Sequence, residues 1–327
     1  MIEANMKRMQ TKYSKGRTLI EVMIAMAIGL VISLAVTSLF VSNSQTYRIF
    51  DDKSLMEEDG RMALNILAVH VRQAGYGNLM NSGFQADSGG GSTDYNPGVI
   101  AANEAVRGCT GGFVSETGDP TQCNNTSTTP DAFLIKYVAS GDNTNSVSAS
   151  GVAVPTDCLG QTIASSASGT YIVENRFYVA SNPSTSRREL YCAGNGGVGF
   201  GVTPLNAGQP FMENVVDMKI TYGYDQQGTK SANSFFSAAS LESPTVPEPM
   251  SNGALVDQTI NPWETKWGRV VSAKICLVMR SANDNLTPAP TKYTDCSGTV
   301  VTATDKRLYT TFSTVVALRA RASGRTL

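Results

Sequence analysis

Lys15-Gly16-Arg17-Thr18-Leu19-Ile20-Glu21 leads directly into Val22-Met23-Ile24-Ala25-Met26-Ala27-Ile28-Gly29, and no charge appears before Val41. From Val22 to Val41 the run is 20 residues long, broken only by small or hydroxyl residues such as Gly29, Ser33, Thr37 and Ser38. As a helix rising about 1.5 Å per residue, it covers roughly the 30 Å of a bilayer core. Glu21 sits inside its N-terminal edge, where a carboxylate is disfavoured. The span is therefore a membrane helix with a deliberate acid at its head.

The flanks orient it. Lys7, Arg8, Lys12, Lys15 and Arg17 precede the run against a single Glu3, while Asp51, Asp52, Glu57, Glu58 and Asp59 outnumber Arg48, Lys53 and Arg61 beyond it. The positive-inside bias keeps the N-terminus in the cytoplasm and sends the rest across the membrane. A cleavable secretory signal, cut near Ser42-Asn43-Ser44, is the alternative. Its apolar region would be about 7–15 residues with no acid at the head, which this run does not match.

Beyond the membrane the helical pattern continues. Leu55, Met62, Ile66 and Val69 share one face, with Ala63, Leu67 and Val71 beside it, and Gln73-Ala74-Gly75-Tyr76-Gly77 supplies the stop. A helix of about 55 residues, Thr18 to Gln73, is predicted. Gly60 costs it about 1 kcal/mol relative to Ala, so a bend or a close packing contact is expected there. His70 is expected on the solvated side.

From about residue 80 to 170 the sequence is loop-rich, with Phe133–Val138 as a strand inside it. Further strands are predicted over Tyr171–Val179, Glu189–Cys192, Met218–Tyr224, Val270–Met279 and Leu308–Leu318. A proline-rich connection runs from Ser243 to Pro262. No strand–helix alternation argues for a parallel sheet. The expected fold is α+β: one long N-terminal helix packed on a largely antiparallel, disulfide-bearing β domain.

All six cysteines, Cys109, Cys123, Cys158, Cys192, Cys276 and Cys296, lie beyond the membrane run. An even count in an oxidising compartment suggests three disulfides, for which 15 pairings are possible. The sequential pairing closes short local loops and is the one expected.

Charged residues make up 16% of the chain, below the usual value near 25%. Without residues 1–16, 22 basic residues face 26 acidic ones, which offers no general attraction for nucleic acid. Catalysis finds no foothold: one histidine, no CxxC, no nucleophile elbow and no phosphate-binding glycine motif. The glycine-rich Gly196–Gly201 follows no strand–helix unit and is expected to be a loop. Asp142-Asn143 and Asn283-Asp284-Asn285 carry oxygen ligands suited to calcium, but Asx turns account for both. No enzyme activity, cofactor or metal is expected.

Gly16 followed by Arg17-Thr18-Leu19-Ile20-Glu21-Val22-Met23 resembles the class III leader of type IV pilins and type II secretion pseudopilins. The family's glutamate at the fifth mature position falls on Glu21, while Arg17 stands where the family usually has Phe. Glu58–Leu64 through Arg72–Tyr76, Gln209–Val215 with Met218–Asp225, Trp267–Ser281 and Asp305–Arg321 resemble, in order, segments of PilW-type minor pilins. The likeness leaves residues 80–170 uncovered.

This resemblance implies a prepilin leader at 1–16, a pilin helix at 17–77 that spans the membrane over about 19–41, and a periplasmic or extracellular globular domain at 78–327. It implies cleavage between Gly16 and Arg17 by a prepilin peptidase and N-methylation of Arg17. Glu21 would be neutralised by a neighbouring subunit's amino terminus during assembly. The implied partners are other minor pilins and the major pilin, with a tip adhesin as a further one. The implied locations are the bacterial inner membrane before assembly and the fibre or its tip afterwards. The implied role is priming pilus growth. A J-type pseudopilin of a type II secretion machine and a tip-exposed adhesion or DNA-binding module are the alternatives.

Overall fold

The computed structural model describes residues 16, 18–76, 105–139, 144, 146–149, 152–165, 170–198, 203–251, 253–257 and 265–322. Residues 1–15 of the expected leader, Arg17, residues 80–104 and Asp142-Asn143 lie outside the described residues. The chain divides into two units after Asp51.

A single helix, α1 (Leu19–Gln73), contributes to both units. In the first unit every residue from Leu19 to Asn43 is exposed. Among the described residues nothing buries this part, so it depends on a surrounding medium that offers the backbone no other hydrogen-bond partners. It is the one helix among the described residues long and apolar enough to cross a membrane.

In the second unit the chain runs from α1 through β1 (Val106–Cys109), β2 (Ala132–Ala139), β3 (Ser146–Ala149), β4 (Val152–Pro155), β5 (Tyr171–Ser181), β6 (Arg188–Gly194) and β7 (Gln209–Glu213). It continues with β8 (Val215–Tyr224), β9 (Ser234–Phe236), α2 (Ala238–Glu242), β10 (Met250–Ser251), β11 (Ala254–Leu255) and β12 (Val270–Arg280). Last come β13 (Lys292–Thr294), β14 (Val300–Thr302), β15 (Tyr309–Ala317) and α3 (Arg319–Ala322). Two antiparallel sheets result, one ordered β1-β2-β5-β6-β7 and the other β15-β12-β8-β9, with three two-stranded ribbons beside them.

The strand sequences explain the layering. In β8, Met218, Ile220, Tyr222 and Tyr224 are buried at every second position, with the half-exposed Lys219 and Thr221 between them. β12 is buried on nearly every residue. Ala273, Ile275, Leu277 and Met279 join the main core, while Cys276 on the opposite face is bridged to Cys296, tethering the turn between β13 and β14. The six cysteines pair in chain order, as Cys109–Cys123, Cys158–Cys192 and Cys276–Cys296. In the chain-entropy account each bridge stabilises by about 2–4 kcal/mol through the unfolded state.

Residues 52–73 of α1 supply Met56, Ala63, Leu64, Leu67, Ala68 and Val71 to that core. Leu55, Met62 and Val69 are 51%, 55% and 44% exposed. The buried face thus sets Gly60, Ala63 and Ala68 among Met56, Leu64, Leu67 and Val71, and the face carrying Leu55, Met62 and Val69 stays out. The loop-rich region also holds short strands beyond the one expected. Val106–Cys109 forms the edge of the first sheet, and Ser146–Ala149 pairs with Val152–Pro155 as a ribbon.

Candidate functional site

The candidate site is the N-terminal segment together with the contacts that fix α1 into the globular unit. Gly16 is exposed, and a side chain at its position would meet nothing within 4 Å. Glu21 lies in the first turn, its N–H donating to Thr18 O at 3.1 Å. Its side chain is exposed, free to meet a cation supplied by another molecule.

The hydroxyls of the apolar run are satisfied within the helix. Ser33 Oγ donates to Gly29 O at 2.8 Å, Thr37 Oγ1 to Ser33 O at 2.8 Å and Ser38 Oγ to Ala35 O at 2.9 Å. Such back-bonding lets hydroxyls lie in lipid without polar partners. The Gly29/Ser33/Thr37 row therefore offers close approach rather than a hydrogen-bonding face.

Asp52 begins the globular unit. Although charged, it is only 3% exposed. Its carboxylate accepts from Asn283 Nδ2 at 3.1 and 3.2 Å and from Asn283 N–H at 3.4 Å. The loop that carries Asn283 is itself fastened, since Arg307 donates to Ser281 O and Ala282 O and Leu308 N–H donates to Ser281 Oγ. Asn283 thus anchors the helix, and Asp284 Oδ1 accepts from Asn285 N–H at 2.7 Å. Two turns further along α1, Gly60 lies against the Phe312 ring of β15, where a Cβ would come within 3.0 Å of Cζ and closer still to two other ring carbons. The glycine is there for close packing.

His70 corrects the expectation of a solvated residue. Its ring stacks at a tilt on Phe177 with centroids 5.0 Å apart. Burial lowers its pKa to about 4, because desolvation penalises the imidazolium. Its buried Nδ1 has no hydrogen-bond partner among the described residues.

Two further charged groups escaped the sequence. Arg176 is 1% exposed on β5. It pairs with Glu174 at 2.6 Å and donates to Glu116 O and Gly118 O at 3.2 and 2.5 Å, clamping the loop closed by Cys109–Cys123. Asp131 accepts from Gly111 N–H and Ile220 N–H at 3.0 and 2.9 Å, pinning the first sheet's edge loop to β8. Both are structural pins. Among the described residues no group of three or more His, Cys, Asp or Glu side chains is placed to hold a metal.

An exposed apolar helix headed by a glycine and an acid is continuous with the core helix of an antiparallel, disulfide-bonded domain, the α+β arrangement expected from the sequence. Residues 11–37 match the prokaryotic N-terminal methylation motif, and residues 176–320 match PilW, type IV pilus-assembly protein W. The chain is thus similar to type IV pilus-assembly protein W over its C-terminal half and to the methylation motif over its N-terminal segment. Among solved structures, a type IV-like pilin from Thermus thermophilus, TTHA1219, is 13% identical over 84% of this chain and 99% of its own, with a TM-score of 0.33. That likeness is too loose for comparing the two folds element by element. No curated protein matches the chain.

Proposed function

We infer that this protein is a minor pilin that helps prime type IV pilus assembly and resides at the fibre tip. It enters the fibre through its N-terminal helix after prepilin peptidase cuts between Gly16 and Arg17. The observation that carries this reading is the helix from Leu19 to Asn43, exposed at every residue. Apolar surface left in water costs about 25 cal/mol per Å². Such a helix must therefore stay in lipid or be buried among other helices, and a subunit can pass from one state to the other only by assembling. Glu21 supports docking in one register. It is disfavoured in a membrane until a neighbour's free amino terminus neutralises it.

Two measurements test the reading. Intact mass of the membrane-recovered protein is expected to give a species beginning at Arg17 only when the peptidase is present. N-methylation adds about 14 Da and three disulfides remove about 6 Da. A species cut near Ser44 would instead indicate a secreted soluble domain. Glu21→Ala is expected to leave membrane insertion intact and lower incorporation into fibres by tenfold or more. Unchanged incorporation would reduce Glu21 to a boundary residue.

A further inference from the structure

The chain just past β6 is chemically fragile. In Gly194-Asn195-Gly196-Gly197 an asparagine is followed by glycine, the pair in which a backbone nitrogen most readily attacks the preceding side-chain amide. Glycine has no Cβ to shield that nitrogen. The fold nevertheless requires both residues. The β5–β6 ladder ends at Asn175 and Gly194, and the Asn195 side chain supplies a further rung. Its Nδ2 donates to Ile172 O at 2.8 Å and its Oδ1 accepts from Glu174 N–H at 2.9 Å. A Cβ at residue 196 would come within 2.5 Å of Gln161 Cβ and 2.6 Å of Asp157 Oδ2, so nothing larger than glycine fits.

Three constraints hold the pair inert. The Asn195 amide is fixed at both ends by those bonds, so its Cγ cannot swing toward Gly196 N. The Gly196 N–H donates to Asp157 Oδ2 at 2.9 Å, and the carboxylate opposes the amide anion that would have to form. Asn195 is 1% and Asp157 7% exposed, which keeps out the base and the water that the reaction consumes. Asp157 is itself held in place. Its Oδ1 accepts from Leu159 N–H and Gln161 N–H, each at 2.9 Å. Its neighbour Cys158 is bridged to Cys192 on β6, three residues before Asn195.

We propose that Asn195 is a latent deamidation site, kept closed by Asp157 and the Cys158–Cys192 bridge and released by local opening of this corner. On opening, Gly196 N loses its proton and attacks Asn195 Cγ; the Cγ–Nδ2 bond breaks and ammonia leaves. Water then opens the succinimide, at one carbonyl to give aspartate and at the other to give an isoaspartyl linkage. One water enters and one ammonia departs, with no change of oxidation state. The product cannot resume the native arrangement. An aspartate has no N–H for Ile172 O and would bury an unpaired charge, while the isoaspartyl form adds a carbon to the backbone just past β6. A transient opening thereby becomes permanent. The inference goes beyond the pilin reading and rests on this corner of the globular unit alone.

The test is peptide mapping of the full chain in detergent, aged at mildly alkaline pH, for a gain of about 1 Da at Asn195. The native chain is expected to deamidate there about a hundredfold more slowly than the reduced chain in denaturant. Two variants open the corner by different routes: Cys158→Ser with Cys192→Ser, and Asp157→Ala with the bridge intact. Each is aged below its own melting midpoint, so that a rise reports local and not global opening. Each should deamidate at Asn195 about tenfold faster than the parent. A native chain within about threefold of the unfolded rate, or either variant remaining as slow as the parent, overturns the proposal.

Discussion

One helix, α1, is two different physical objects. Residues 19–43 are exposed at every position, while residues 52–73 bury Asp52, Met56, Gly60, Ala63, Leu64, Leu67, Ala68 and Val71. The first part is apolar all round and its hydroxyls bond back to its own carbonyls, so it is built to be helical in lipid or among other helices. The second is a stripe of small and aliphatic residues, helical because the sheets cover that stripe. Equal secondary structure therefore hides opposite dependence on the protein's own core.

The largest break in that symmetry is expected from the same truncation made in each half. Leu67→Ala removes a side chain that is fully buried. It should destabilise the globular unit by about 2–5 kcal/mol through lost transfer energy and the cavity left behind. Leu34→Ala, at a residue 63% exposed, should change its melting by roughly zero. Thermal unfolding of the two variants in the same detergent provides the measurement. Equal losses would mean that both halves share one core, and the contrast would collapse.

His70 sharpens the comparison through pH. Its folded pKa, near 4, lies below the ordinary 6.5, so the unfolded chain binds the extra proton first as pH falls. Its contribution is therefore fully present above about pH 6.5 and is lost as pH drops toward 4. Because the side chain is only partly enclosed, the loss is expected at about 2 kcal/mol rather than the full linkage value. Replacing His70 with Leu should flatten stability across that window, which denaturant melts at stepped pH would show. An unchanged slope would assign the acid sensitivity to other groups.

The sequence carried more of this molecule than of its fastenings. The membrane run, the helix stop after Gln73 and the strands at 171–181, 215–224 and 270–280 announce themselves through charge gaps and alternating residues. β1 and the β3–β4 ribbon were hidden, because four-residue strands between glycine and serine runs have too few residues to show a period. His70 was readable and misread. It stands three residues after Leu67 and seven after Ala63, on the margin of the buried face. Asp52 with Asn283, separated by 231 positions, and Arg176 with the Glu116 and Gly118 carbonyls depend on tertiary placement that no local spacing encodes. In the site, Gly16 and Glu21 were legible as a motif, whereas the anchoring of the helix was not.

Gly60 gives the finest cut, because two principles assign it opposite signs. In an exposed helix, Gly→Ala stabilises by about 1 kcal/mol. At residue 60, however, the new methyl would lie against the Phe312 ring, inside van der Waals range of three of its carbons, and overpacking costs about 1–3 kcal/mol. The ring belongs to an edge strand and can yield partly, so Gly60→Ala is expected to destabilise by about 1 kcal/mol, a few degrees in Tm at most. Phe312→Leu in the same chain should recover most of that loss, giving a favourable coupling in a double-mutant cycle. If Gly60→Ala alone raises Tm, the helix and β15 are loosely packed. Residues 52–73 would then owe less to the core than their burial implies, bringing the two halves of α1 closer in kind.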